Sequence, residues 1–311
     1  MTIFRTLLLG GSLLATPTLA LADDQALAMP DGIFSVYGGY SMAHIQSDEL
    51  VYGGGQKLSE LNWESKYVSI FTVGLSADVD KSWTVKGDVD IGTGGDGHMV
   101  DYDWLYGPDA WSERSIHPDT RLDHYFSADI QVSREVYKDM QSTLSLGAGF
   151  NYSDVKWTAY GGSYVYSTFD FRDTVGNFPD GEKGISYRQK VPVGYLTVNG
   201  EHKIGQWTLG GSLRGGMSFG IEDIDDHWMR NARFYDSMEI APMLGATITA
   251  DYAINDRASL YFSGSFDRVF RADGDMRMTD TTGATPDASY SDAAGASFQA
   301  MSIGFGLKGT F

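Results

Sequence analysis

The feature that most limits what this chain can fold into is apolar/polar alternation, sustained over runs far longer than a soluble strand needs. In the last segment Met301, Ile303, Phe305, Leu307, Gly309 and Phe311 share one parity, and Ser302, Gly304, Gly306, Lys308 and Thr310 share the other. Trp207, Leu209, Gly211 and Leu213 repeat the pattern against Thr208, Gly210, Ser212 and Arg214. So do Leu144, Leu146, Ala148, Phe150 and Tyr152 against Ser145, Gly147, Gly149 and Asn151. Successive side chains of a strand point to opposite faces, so each run has an apolar face and a small or polar face. Lipid on one side and a lumen on the other require that pattern. A soluble β-sandwich would use strands of about 5–6 residues.

Such runs are read at 32–52, 56–77, 80–93, 120–135, 140–160, 184–202, 205–222, 235–254, 257–272 and 296–311. They predict an all-β fold, a ten-stranded antiparallel transmembrane β-barrel, an even strand number being what antiparallel closure gives. Short connections fall at Asp78–Asp80, Tyr137–Lys138, Ile204 and Asn255–Asp256, and long ones near 94–119, 161–183, 223–234 and 273–295. The asymmetry predicts short periplasmic turns and long extracellular loops. The first hairpin tip, near Gly53-Gly54-Gly55, points outward with the long loops.

The start of the chain has a different character. Arg5, the apolar run Leu7 to Leu14 and Ala20-Leu21-Ala22 form the pattern of a cleaved export signal. Residues 1–22 are therefore expected to be a signal peptide and 23–311 the transmembrane barrel domain, beginning at Asp23. A membrane anchor is disfavoured, because Gly10, Gly11 and Pro17 break the run and a spanning helix needs about 20 apolar residues. No later stretch is long and apolar enough for a helical span. There are 0 cysteines, so closure of a sheet, not disulfides, must stabilise an exported chain of this kind. The net charge is -18, and Arg5 is the only charge before Asp23. Acidity of this size disfavours nucleic acid as a partner and favours a cationic one, and the solubility of exposed loops accounts for part of the same excess.

Chemistry gathers in two acidic pairs at the outer end. Asp101 and Asp103 lie in Met99-Val100-Asp101-Tyr102-Asp103-Trp104, and Asp225 and His227 in Asp223-Ile224-Asp225-Asp226-His227-Trp228. The i, i+2 spacing puts each pair on one face of an extended strand, and Asp223 joins the second face. The strands that carry them are expected on roughly opposite walls. A carboxylate beside a histidine orients the ring and stabilises its charged form, so the imidazole can take a proton from water. A second carboxylate pair can hold that water, with like-charge repulsion keeping one proton in the pair. The same acids are also compatible with binding a divalent cation or with simply solvating a loop. Ser115 and His117 invite a serine-hydrolase reading, but no Gly-x-Ser-x-Gly surrounds the serine. His98 and His117 flank the first acidic segment, and His44, His124 and His202 read as girdle or lumen residues.

At these positions the sequence resembles the omptin family of outer-membrane aspartyl endopeptidases. The stretches that carry the likeness are Met99–Trp104, His117-Pro118-Asp119-Thr120, Gly161-Gly162-Ser163-Tyr164, Phe171-Arg172-Asp173, Phe178-Pro179-Asp180-Gly181-Glu182 and Asp225-Asp226-His227. The resemblance implies a hydrolase of the bacterial outer membrane with its active site in an outward-facing groove. It implies that Asp101 and Asp103 form an aspartate couple, that Asp225 and His227 form a dyad, and that a water between them attacks the peptide bond. It further implies that Glu49 and Asp223 hold a basic substrate side chain, that Met99 and Ile185 line the neighbouring subsite, and that cuts fall at dibasic sites. Neither a metal nor a cofactor is implied. The family commonly takes lipopolysaccharide as an activating lipid on basic wall residues. Here Lys190, Lys156 and Arg188 are the candidates, while Tyr152 and Asp154 depart from the pattern. A monomer is expected.

Two other functions fit the same barrel. A non-enzymatic adhesin or small channel would use the acidic mouth to bind cationic surfaces or select cations. An enzyme acting on lipid A would place serine and histidine toward lipid, whereas the acidic pairs lie in the groove.

Overall fold

The computed structural model describes residues 34–311. The proposed signal peptide, the start at Asp23 and the first residues of the first expected strand lie outside that range.

The strand segments are β1 (Phe34–Gly53), β2 (Gln56–Asp78), β3 (Trp83–Thr93), β4 (Asp96–Asp103), β5 (Glu113–Lys138), β6 (Ser142–Tyr160), β7 (Ser163–Tyr166) and β8 (Thr174–Asn177). They continue with β9 (Lys183–Ile204), β10 (Trp207–Ser218), β11 (Glu222–His227), β12 (Ala232–Met238), β13 (Ala241–Asn255), β14 (Ala258–Asp280) and β15 (Ala288–Thr310). The one helical element among the described residues is a 3-10 turn at Trp228–Arg230. Fifteen segments stand where ten strands were expected. Interruptions at 94–95, 219–221 and 239–240 split three runs, and β7 and β8 add a hairpin beyond β6 whose first strand pairs with the start of β5. At the first break Gly94 and Gly95 have φ of 71° and 97°, a left-handed backbone that side chains with a Cβ resist.

The antiparallel ladders run from β1 through β2, β3 with β4, β5, β6, β9, β10 with β11, β13 with β12, and β14 to β15. β15 then pairs back on β1, Ser35 opposite Thr310. The seam closes at the last residue, where Phe311 N donates to Phe34 O at 2.8 Å. Closure leaves no free edge in the main circuit, which is how a sheet survives in lipid.

One face of the closed sheet carries an exposed apolar band. Phe71, Val73 and Leu75 on β2, Ile130 and Val132 on β5, Leu244 and Ile248 on β13, and Ile303, Phe305 and Leu307 on β15 all belong to it. The opposite face is polar at this level: Tyr37 donates to Asp88 at 2.8 Å, Tyr195 to Asp129 at 2.7 Å, and Arg214 to Asp267 at 2.7 Å.

Beyond the band the strands continue. The expected long loops at 94–119, 223–234 and 273–295 are mainly β4 with the start of β5, β11 with β12, and the ends of β14 and β15. The sequence hid this because the wall is polar on both faces there, one turned to solvent and one to a site. Inside this upper wall Trp63, Trp157 and Tyr187 stack, with ring centroids 5.5 to 6.5 Å apart. Ser47 on β1 donates to Gln189 on β9 at 2.8 Å, although those strands are not neighbours in the sheet. The interior is therefore filled from wall to wall below the open end.

Candidate active site

The cleft at the open end encloses about 510 Å³. Asp101 and Asp103 on β4, Asp225 and His227 on β11, and Glu49 on β1 all line it. The two i, i+2 pairs are thus brought into one cavity from separate walls. Ladder register explains their aim: Asp101 lies opposite Leu61 and Asp103 opposite Ser59 on β2, and Leu61 and Ser59 also line the cleft. Asp225 lies opposite Tyr187 on β9 and Phe234 on β12, and His227 opposite Ile185 and Ala232.

His227 Nε2 stands 2.5 Å from Asp225 Oδ2, both residues buried. The ring edge packs against Phe234. Arg230, from the 3-10 turn, donates to His227 Nδ1. Its guanidinium is only a donor, so Nδ1 acts as acceptor and the ring proton sits on Nε2, toward Asp225. The positive charge of Arg230 also acts on Asp101 and Asp103, so one cation serves both pairs. Nothing in the motif spacing pointed to Arg230. A base three residues after the histidine was the only available signal.

Across the cleft, burial first and then repulsion from Asp103 push the Asp101 carboxyl well above its ordinary range. Ser59 Oγ donates to Asp101 at 3.1 Å and partly offsets the shift. Burial also raises Asp103. A couple of this kind retains a proton where ordinary carboxylates have lost theirs.

Glu49 and Asp223 are 2 % and 1 % exposed. Trp63 Nε1 donates to Glu49 at 3.3 Å, and Tyr187 OH to Asp223 at 2.6 Å. Desolvation raises both acids, Asp223 to about 7, and nearby acids add to the rise. Ile185 lines the cleft. Met99 is fully buried between Trp63 and His117 in the ladders and is not among the lining residues.

Ser115 and His117 face the same cleft and are hydrogen-bonded, His117 Nε2 to Ser115 Oγ at 3.0 Å. His117 Nδ1 meets the Gly161 carbonyl at 2.5 Å, and burial lowers its basicity. Both ring nitrogens are therefore committed, and the ring stacks on Phe178. The other four histidines are not among the lining residues: His98 lies on β4 opposite Glu64, His44 pairs with Glu64, His124 with Asp154, and His202 with Ser142. The basic wall candidates are all engaged by acids. Arg188 binds Asp154 through two nitrogens, Lys156 lies 3.7 Å from Asp123, and Lys190 3.2 Å from Glu222.

A closed antiparallel sheet with an apolar outer band and an acid–histidine cleft at one end defines an outer-membrane barrel bearing a polar site. The omptin family profile matches residues 34–311. "Protease 7" of Escherichia coli K12 is 28% identical over 270 residues, 83% of each chain. "Plasminogen activator" of Yersinia pestis is 28% identical over 287 residues, 91% of this chain and 90% of that one. The crystal structure of the outer membrane protease OmpT from Escherichia coli superposes with a TM-score of 0.85 at 26% identity, covering 92% of this chain and 99% of that one. The chain belongs to the omptin family, a family of outer-membrane proteases, and it is a protein of the bacterial outer membrane.

Proposed function

We propose that this barrel is an endopeptidase that cuts polypeptides at basic sites with a water activated by Asp101, Asp103, Asp225 and His227. The convergence of the two pairs in one cleft carries this reading. Asp225 holds the Nε2 proton and offsets the positive charge that develops on the ring. Nδ1, once Arg230 withdraws, takes a proton from the attacking water. The Asp101–Asp103 couple keeps its one proton throughout: it accepts a hydrogen bond from the water's second hydrogen and donates a hydrogen bond to the peptide carbonyl oxygen. The water oxygen bonds to the carbonyl carbon. The amine then leaves with the proton taken up by His227, and no acyl-enzyme forms.

The buried acids Glu49 and Asp223, whose leading charged neighbours among the described residues are other acids, supply the negative pocket for a basic side chain. Omptin membership supports the protease class. The filled interior, with Ser47 and Gln189 bonded across it and Trp63, Trp157 and Tyr187 stacked, argues against a small channel. The test is cleavage of a quenched dibasic peptide by the refolded barrel. His227→Ala and Asp101→Ala are expected to abolish turnover while the barrel stays folded, and unchanged turnover in either overturns the reading.

A further inference from the structure

Asp236 was not marked by any motif. It lies on β12 directly opposite Asp223 across the β11–β12 ladder, and opposite Met276 on β14. Directly opposed residues share a face of the sheet. Asp223 is buried inside that face, and Met276 lines the cleft, so Asp236 points inward with them. It is 4 % exposed. Among the described residues its Oδ1 has no hydrogen-bond partner, and neither do Oδ1 of Asp223 and Oδ1 of Asp225.

Three buried carboxylates thus each have an oxygen that no described residue donates to. Like charges directly opposed across a ladder repel, and a buried carboxylate without a donor is costly. The groups that face Asp236 are Asp223 and Asp225 on β11 and Glu49 on β1, with the Tyr187 hydroxyl of β9 on Asp223. Among the described residues, the leading charges acting on Glu49, Asp223 and Asp236 are all acidic. Either a proton or an arriving cation must resolve the conflict.

We propose that Asp236 is a third acid of this pocket, a specificity-determining residue that accepts the substrate's basic side chain together with Glu49 and Asp223. The proposal rests on the endopeptidase reading above and deepens it. Burial and the neighbouring acids push the Asp236 carboxyl up to about 8, so the empty pocket holds a proton there at neutral pH. A guanidinium or ammonium entering the pocket lowers that value and releases the proton. Binding of the basic side chain therefore strengthens as pH rises toward 8 and levels off above it.

The test compares two peptides that differ only in arginine or citrulline before the cut bond, with wild type and Asp236→Asn. Citrulline keeps the shape and loses the charge. In the variant, KM for the arginine peptide is expected to rise about tenfold, the size of one charge-assisted contact, with kcat little changed. The arginine-over-citrulline preference narrows, and the fall of KM between pH 6 and 8 flattens. Agmatine inhibition of the wild type, followed over the same pH range, supplies a second measurement that needs no variant; it is expected to strengthen with pH. Unchanged KM, preference and pH profile in a folded, active variant, or agmatine inhibition that ignores pH, overturns the role of Asp236. A wild type that cleaves neither peptide overturns the endopeptidase reading instead.

Discussion

Asp225→Asn is the substitution that probes the proposed chemistry most sharply. The change keeps shape and removes one charge. Asp225 Oδ2 lies 2.5 Å from His227 Nε2 in a position that is 2 % exposed, so the pair is hardly screened by water. Breaking a buried pair on one side costs roughly 3–5 kcal/mol. If that loss falls on the transition state, where the ring is charged, kcat drops by about 10² to 10⁴-fold at ~1.4 kcal/mol per tenfold. The asparagine amide also presents a donor toward Nε2, which favours the tautomer with the proton on Nδ1, the wrong one for taking a proton from water. Stability should move the opposite way. Asp225 contributes to the raised carboxyls of Glu49, Asp223 and Asp236, so its removal relieves repulsion in the pocket. Steady-state cleavage of a dibasic peptide and the temperature of heat-induced gel-shift unfolding read the two effects together. A lower kcat with an equal or higher unfolding temperature is expected. Near-native kcat, with the barrel folded, would refute the assignment of Asp225 as the partner of the base.

Other outcomes follow from the same geometry. Asp223 and Asp236 have carboxyls raised to about 7 and about 8, so the stabilisation linked to their protonation is fully present below the ordinary carboxylate range. It is lost as pH rises through those values, at up to about 1.4 kcal/mol per pH unit for each group. The unfolding temperature should therefore fall from about pH 4 to about pH 8 and level off above it, and a flat profile across that window contradicts the burial argument. Trp63→Phe removes the indole donor from Glu49 while keeping an aromatic in the stack, and should cost about 1–3 kcal/mol with a higher KM for basic peptides; equal KM would separate Glu49 from substrate binding. Arg188 is held by Asp154, so added lipopolysaccharide should activate wild type weakly and Asp154→Asn more strongly; an identical response in both would show that this wall does not meet the lipid phosphate.

Much of the barrel was legible because lipid imposes a period of two on every strand. The parity of Met301 through Phe311 already marked the last strand, the one that closes on β1. Acid pairs at i, i+2 were legible for the same reason, since parity alone decides that Asp101 and Asp103, or Asp225 and His227, share a face. Features set by register across strands were not legible. Asp236 reads as an ordinary strand residue until it is seen opposite Asp223. Met99 shares its parity with Asp101 and Asp103 and lies on the same inward face, but deeper, where Trp63 and His117 opposite it on the neighbouring strands leave it fully buried. The bases Arg188, Lys156 and Lys190 looked free, and only cross-strand pairing supplies Asp154, Asp123 and Glu222 as their partners. The contact of Arg230 with His227 depends on a 3-10 turn closed by Asn231 in a left-handed conformation, which alternation does not encode.

The central claim is that Asp101, Asp103, Asp225 and His227 act as one hydrolytic unit. A double-mutant cycle on kcat with Asp101→Ala and His227→Ala tests it directly, using barrels shown to be folded. If the two walls share one water, either single change should remove nearly all the rate, and the double variant should be little worse than the singles. Independent, multiplicative losses, or substantial turnover in either single variant, would contradict the claim.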